Sequence, residues 1–394
     1  MIEHVIKFGI TLVSFASCLL AVQLLINRKY FFFLLNRKGR YGTIDGLRGF
    51  LAISVFFHHF IITRNWKIYG EWVSPDEVYY QNYGKLGVAI FFMITGFLFV
   101  SKIINNSDKI DWLKLYESRI FRIMPLYVFA IIVITFFVFL GSDFKLEVNW
   151  SQLINQYMRW GVFHGSNING FENTQKIIAG VEWTLKYEWL FYISLPIIAY
   201  SIWRLKKIGG IVLIATCLYL FIYPIQIIDF SSSNFILFAI GGITSYIYKY
   251  HNVCSKIIRN KQVSFLTCSV FFISVFYPHT LNGVHIILLS LFFILVVLGN
   301  DMFGLLSLKS SILLGEISYS IYLLHGAILY TVFTVFDIVD INVVSLNEYL
   351  ILMPLIAILV VLFSSITYLL IERPCMNLGR LYYFSNKLRL KKRQ

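Results

Sequence analysis

Long apolar blocks alternate with short polar segments along the whole chain. The blocks predict eleven helices, at 5–27, 46–63, 86–101, 120–140, 180–203, 209–226, 232–249, 262–278, 284–300, 312–336 and 349–371. Each is about long enough to cross a hydrocarbon core of roughly 30 Å. Composition agrees: 58% of 394 residues are hydrophobic, 14% are charged, and the mean hydropathy is +0.73. An all-α polytopic membrane protein is expected, as one integral domain without an appended soluble enzyme. Cys18 sits in FASC, a poor lipoprotein cleavage site, and the apolar run continues to Ile26. The first block therefore reads as a retained helix instead of a signal peptide. The five cysteines have neither metal-type nor disulfide-framework spacing.

The net charge of +14 raises nucleic acid as a partner only until it is mapped. Connections 28–48, 102–122, 204–207, 249–261, 301–311 and 372–394 hold 26 of the 34 Lys and Arg, and the opposite connections hold 7. This split predicts an outside amino terminus and a cytoplasmic carboxyl terminus, with no nucleic-acid partner. The basic end KLRLKKRQ reads as a lipid-headgroup anchor or as an ordinary positive-inside tail. On the outer side, 141–179 is the longest non-apolar stretch, with Trp150, Tyr157, Arg159, Trp160 and His164. Aromatics among amides suit sugar binding, and an interfacial helix fits equally well.

Ionisable residues inside spanning helices mark candidate sites. Arg48, Ala52, Val55 and His59 fall at i, i+4, i+7 and i+11 and form one stripe, while His58 points about 100° away. Read for function, His59 is a general base and Arg48 an anion clamp. Read for structure, His59 bonds a neighbouring helix and Arg48 snorkels. Arg119 and Arg122 share a helix face before Pro125 and suit a phosphate-bearing ligand, or simply flank the membrane. Glu182 and Lys186, at i and i+4, can neutralise each other, whereas Glu188 has no partner on its own helix. Ser318, Tyr322 and His325 share a face. Arg373 either joins the basic cluster or pairs with Glu372.

Depth brings these residues together. Counted from the predicted outer ends, His59 lies four residues deep, Glu188 about eight and His325 about eleven, or roughly 6–17 Å below the outer surface. Arg48, Arg119, Arg122 and Arg373 lie at the inner surface. That layout suits a long anionic donor entering from within and an acceptor arriving from without.

The stretches DGLRGFLAISVFFHH, GVAIFFMITGFL, SRIFRIMPLY, EWTLKYEWLFY, FAIGG, ISYSIYLLHG and LIERP occur in that order between about Asp45 and Arg380. In them the chain resembles the acyltransferase-3 family of integral membrane acyltransferases, which O-acetylate surface polysaccharides and related glycans. The resemblance implies a membrane domain over 41–380, preceded by an extra helix and basic linker (1–40) and followed by a basic tail (381–394). It implies a bacterial inner-membrane enzyme with cytoplasmic acetyl-CoA as donor and no metal. The acceptor would be a glycan or lipid-linked glycan, such as O-antigen, capsule or exopolysaccharide. The family's essential histidine falls on His59 and its arginine on Arg48. Its Arg-x-x-Arg pair falls on Arg119 and Arg122, and its Trp-x-x-x-x-Glu element on Trp183 and Glu188. Ala89 stands where the family often has Asp, Thr95 replaces the usual Ser, and His58 is a second imidazole.

The expected mechanism has Arg48, Arg119, Arg122 and Arg373 hold the nucleotide phosphates. His59 takes a hydroxyl proton or is transiently acetylated, and Glu188 orients its ring. His58 and His325 complete the catalytic candidates, and Trp183, Tyr322 and Trp160 are the acceptor-binding ones. A flippase for a lipid-linked glycan is the rival reading, but the paired repeats common in transporters are absent. No His-x-x-x-x-Asp or Gly-x-Ser-x-Gly pattern points to other acyl-transfer chemistry.

Overall fold

The computed structural model describes residues 2–28, 30–31, 42–106, 109–227, 230–250 and 255–391. The basic linker over 32–41 and the last three residues of the tail lie outside the described residues. Among the described residues the fold is all-α apart from a pair of two-residue strands, Gln226–Ile227 and Phe230–Ser231, and an isolated bridge between Ile168 and Phe171. Among the described residues six helical spans are long and apolar enough to cross a membrane: Val5–Asn27, Gly42–Tyr69, Val78–Asn106, Trp112–Gly141, Ser318–Val335 and Leu346–Tyr383. The apolar helices Ile208–Ile222, Lys261–Val275 and Gly283–Val297 are shorter. The chain is therefore a multi-pass membrane protein. The expected span at 180–203 is a helix of 22 residues, Trp183–Arg204, whose apolar run is broken by Lys186 and Glu188.

Two helices form the centre. α1 (Ile2–Asn27) packs on the outside of the bundle, and α2 (Gly42–Tyr69) and α3 (Val78–Asn106) pair inside it. A buried ion pair between Lys7 Nζ and Glu77 Oε1, 2.6 Å apart, ties α1 to the start of α3. α4 (Trp112–Gly141) begins at Asp111, whose carboxylate accepts the Lys114 N–H and satisfies one of the free donors of the first turn. α5 (Trp150–Gly161) is a short amphipathic helix with a capping box between Asn149 and Gln152. α6 (Trp183–Arg204) and α7 (Lys206–Ile222) follow, and then α8 (Phe235–Tyr250), which crosses α3 closely. At that crossing Gly96 meets the Phe238 carbonyl and Gly241 meets the Met93 carbonyl, so any side chain at either position would hit backbone. α9 (Lys261–Val275) and α10 (Gly283–Val297) form a hairpin beside them.

The expected helix at 312–336 is broken. α11 (Lys309–Glu316) ends at Ile317, α12 (Ser318–Tyr330) follows, and a turn of π-helix runs to Val335. The break lies where Gly315 is pressed against the Asp45 carbonyl at the start of α2, so α11 and α12 grip the histidine helix separately. α13 (Leu346–Ile351), α14 (Met353–Thr367) and α15 (Arg373–Lys391) end the described chain. α14 packs on α1, and α15 packs on α4.

The end of α2 corrects the expected depth of His59. α2 runs to Tyr69, so His59 lies ten residues from its end instead of four. His325 also lies ten residues before Val335, where the π turn ends. At about 1.5 Å per residue both rings are some 15 Å from these ends, at the same level.

Candidate active site

His59 and His325 meet. The His325 Nδ1–H donates to the Ile321 carbonyl at 3.0 Å, because a carbonyl can only accept. In the neutral ring Nε2 is then an acceptor, and His59 Nδ1 lies 3.0 Å from it. The His59 proton is thereby fixed on Nδ1, which also lies 3.1 Å from the Val55 carbonyl. His59 Nε2 keeps a free lone pair, as a proton acceptor requires. The two rings stack at 5.0 Å between centroids and 29° between planes, and Trp72 lies 6.2 Å from His59 at the same tilt. His58 is held differently: its Nδ1–H donates to the Tyr80 carbonyl at 3.0 Å, and its ring fills the space left by the missing side chain of Gly84.

Both α2 histidines line a cavity of about 500 Å³. Trp72 lines it beyond α2. Gln175 and Lys176 line it from the 3₁₀ turn Thr174–Ile178, and Glu182, Trp183 and Lys186 from the start of α6. The turn reaches this place because Gly326, next to His325, leaves room for the backbone of Ile178 and Ala179. Burial pulls the Lys176 ammonium below its ordinary pKa.

A separate, smaller chamber of about 60 Å³ is lined by Arg48, Glu188, Thr184, Ser318, Tyr319 and Tyr322. Glu188 Oε2 accepts the Tyr192 hydroxyl at 2.9 Å. The Tyr322 and Thr184 hydroxyls are 3.0 Å apart. These contacts overturn one expectation: Glu188 does not orient His59, which takes His325 as its partner. The reason is helical phase. On α6, Trp183 and Lys186 face the cavity, whereas Thr184, Leu185 and Glu188 face the chamber. Tyr322 likewise lines the chamber, with its ring 6.4 Å from His325.

A third space of about 360 Å³ lies among the ends of α4 and α15. Arg119, Arg122, Lys114 and Arg380 line it, with Glu117 and Tyr383. Arg119 and Arg122 come together as their spacing suggested. Arg122 Nη1 also sits 2.7 Å from Glu372 Oε1, and the Ser320 hydroxyl donates to Glu372 Oε2 at 2.9 Å. With Glu372 taken by Arg122, Arg373 is not among the residues lining this space. Arg380 is, and sequence reasoning passed over it.

Trp160 is a correction. It is fully buried, its indole N–H donates to the Ser166 carbonyl at 2.9 Å, and its own carbonyl accepts the Tyr127 hydroxyl at 2.7 Å. It supports the 141–179 segment and does not face the cavity. Trp183 does line it. Among the described residues no group of His, Cys, Asp and Glu is arranged to hold a metal ion.

Residues 41–369 match the acyltransferase-3 family model, described as an acyltransferase domain. The chain is similar to nodulation protein 10 of Rhizobium leguminosarum bv. viciae, 29% identical over 190 residues, covering 46% of this chain and 50% of the relative. It is also similar to the O-acetyltransferase OatA of Staphylococcus aureus, 26% identical over 161 residues, covering 39% of this chain and 24% of the relative. The matched region thus spans half or less of these relatives' own length. No solved structure gives a significant match.

Proposed function

The chain belongs to the acyltransferase-3 family, and we propose that it is a membrane O-acetyltransferase moving an acetyl group from acetyl-CoA to a hydroxyl of a cell-surface glycan. In this reading it sits in a bacterial plasma membrane with the basic end toward the cytoplasm, as the Lys and Arg bias favours. Arg119, Arg122, Arg380 and Lys114 hold the nucleotide phosphates, for which forked guanidiniums are suited. The acyl-bearing arm extends into the chamber of Arg48 and Glu188, next to the histidine pair. The acceptor enters the larger cavity.

The observation that carries the reading is His59 at the cavity wall with buried His325 paired behind it. His59 Nε2 accepts the proton of the acceptor hydroxyl as its oxygen attacks the acetyl carbonyl carbon. His325 Nε2 steadies the charge on His59 through the Nδ1–H it accepts, the role an acidic partner plays in a triad. The carbon–sulfur bond breaks, and the proton returns to the leaving thiolate. The sum is an ester and free CoA. His58, held by Tyr80, lines the cavity without a second imidazole behind it and serves the acceptor side.

The test compares His59→Ala and His58→Ala at equal protein level in a deletion strain, with surface-glycan acetylation read by mass spectrometry. His59→Ala is expected to lower it about 10²-fold or more, as loss of a general base does, and His58→Ala by much less. Full acetylation in His59→Ala would end this assignment.

A further inference from the structure

Two ammonium groups in the cavity have no part in the chemistry above. Lys176 comes from the turn after α5 and Lys186 from the first turn of α6, and both are half-buried. Among the described residues neither has an ion-pair or hydrogen-bond partner. Lys176 lies over the Trp66 ring, 5.0 Å from its centroid. The Glu182–Lys186 pair expected from their spacing is not among the ion pairs of the described residues. Two buried cations elsewhere in the fold do have carboxylate partners: Lys7 has Glu77, and Arg122 has Glu372. A partly desolvated charge without a counterion is costly, and an arriving anion relieves that cost.

We propose that the cavity selects acceptors carrying an anionic group, a carboxylate or a phosphate, beside the hydroxyl to be modified, and that Lys176 and Lys186 bind it. This deepens the acetyl-transfer reading and rests on it. The placement suits the task. His59, Lys176 and Lys186 line one cavity from three different elements, with Trp72 and Trp183 supplying flat apolar faces for the sugar ring. Against the two ammoniums the lining offers one carboxylate, Glu182, so the cavity is left with a net positive charge. Lys presents a mobile point charge, which serves either anion without the fixed fork of Arg.

The test uses the full chain in detergent with acetyl-CoA and three probes: an oligogalacturonate, its carboxyl-reduced neutral form, and a glycerol-phosphate oligomer. Expected is a kcat/KM for one charged probe at least about tenfold above the neutral one, with Lys176→Gln and Lys186→Gln each cutting that preference about tenfold, the scale of a hydrogen bond to a charged group. Lys186→Arg should retain most of it. Which charged probe is preferred separates carboxylate from phosphate. Equal use of charged and neutral probes, or a preference unchanged in both Gln variants, overturns the proposal. If no probe releases CoA, the acetyl-transfer reading fails on its own, and equilibrium binding of the charged probes decides. Binding weakened tenfold by the Gln variants upholds the anion site, and binding indifferent to them removes it.

Discussion

Replacing Glu372 by Ala removes a carboxylate that is fully buried and 2.7 Å from Arg122, whose own side chain is 15% exposed. At an effective dielectric near 20, two unit charges at that distance attract by about 6 kcal/mol. Desolvation of both groups offsets much of this, so the pair itself adds little net stability. Removing only one partner is different, because the desolvated guanidinium remains. That loss is about 3–5 kcal/mol. The Ser320 hydroxyl loses its acceptor as well, and Arg119 and Arg48 stay nearby as like charges. Glu372→Ala is therefore expected to destabilise the protein by about 3–5 kcal/mol, read from its denaturation midpoint in mixed detergent micelles. The double change Arg122→Met with Glu372→Leu removes both charges and should recover most of that loss, while weakening donor binding. A Glu372→Ala midpoint within about 1 kcal/mol of the parent, or a double variant no better than the single, would refute the reasoning.

Gly326→Val should lower stability by about 1–3 kcal/mol, the scale of overpacking, because its side chain meets the backbone of Ile178 and Ala179. The acceptor KM should rise as the 174–178 turn is pushed away, and an unchanged KM would count against that turn as a cavity wall. Tyr192→Phe removes the hydroxyl that donates to half-buried Glu188. It should cost about 1–3 kcal/mol, seen as a fall of about tenfold or more in kcat/KM, and unaltered kinetics would show that Glu188 does not depend on it.

The grouping of Arg119 with Arg122 was legible locally, since they stand three residues apart on one helix. The partner of His59 was not. His325 is 266 residues away, and no local period links them. Depth counting came within a residue for His325 but placed His59 too shallow, because Arg64 and Lys67 read as loop residues while α2 continues past them to Tyr69. The expected tie between His59 and Glu188 came from a resemblance to triads. It failed because Glu188 faces the chamber on the other side of α6. Trp160 looked like a sugar platform because an aromatic in a polar stretch carries no sign of whether it points in or out. Its full burial is a property of the folded segment around it.

The 3₁₀ turn seated on Gly326 gives the cavity one wall that belongs to no spanning helix. Gln175 and Lys176 can be exchanged there without disturbing the interlocked glycines of α2, α3, α8 and α11. Descendants of such a protein are thus free to swap clientele by rewriting a handful of codons, while the transmembrane apparatus is inherited intact.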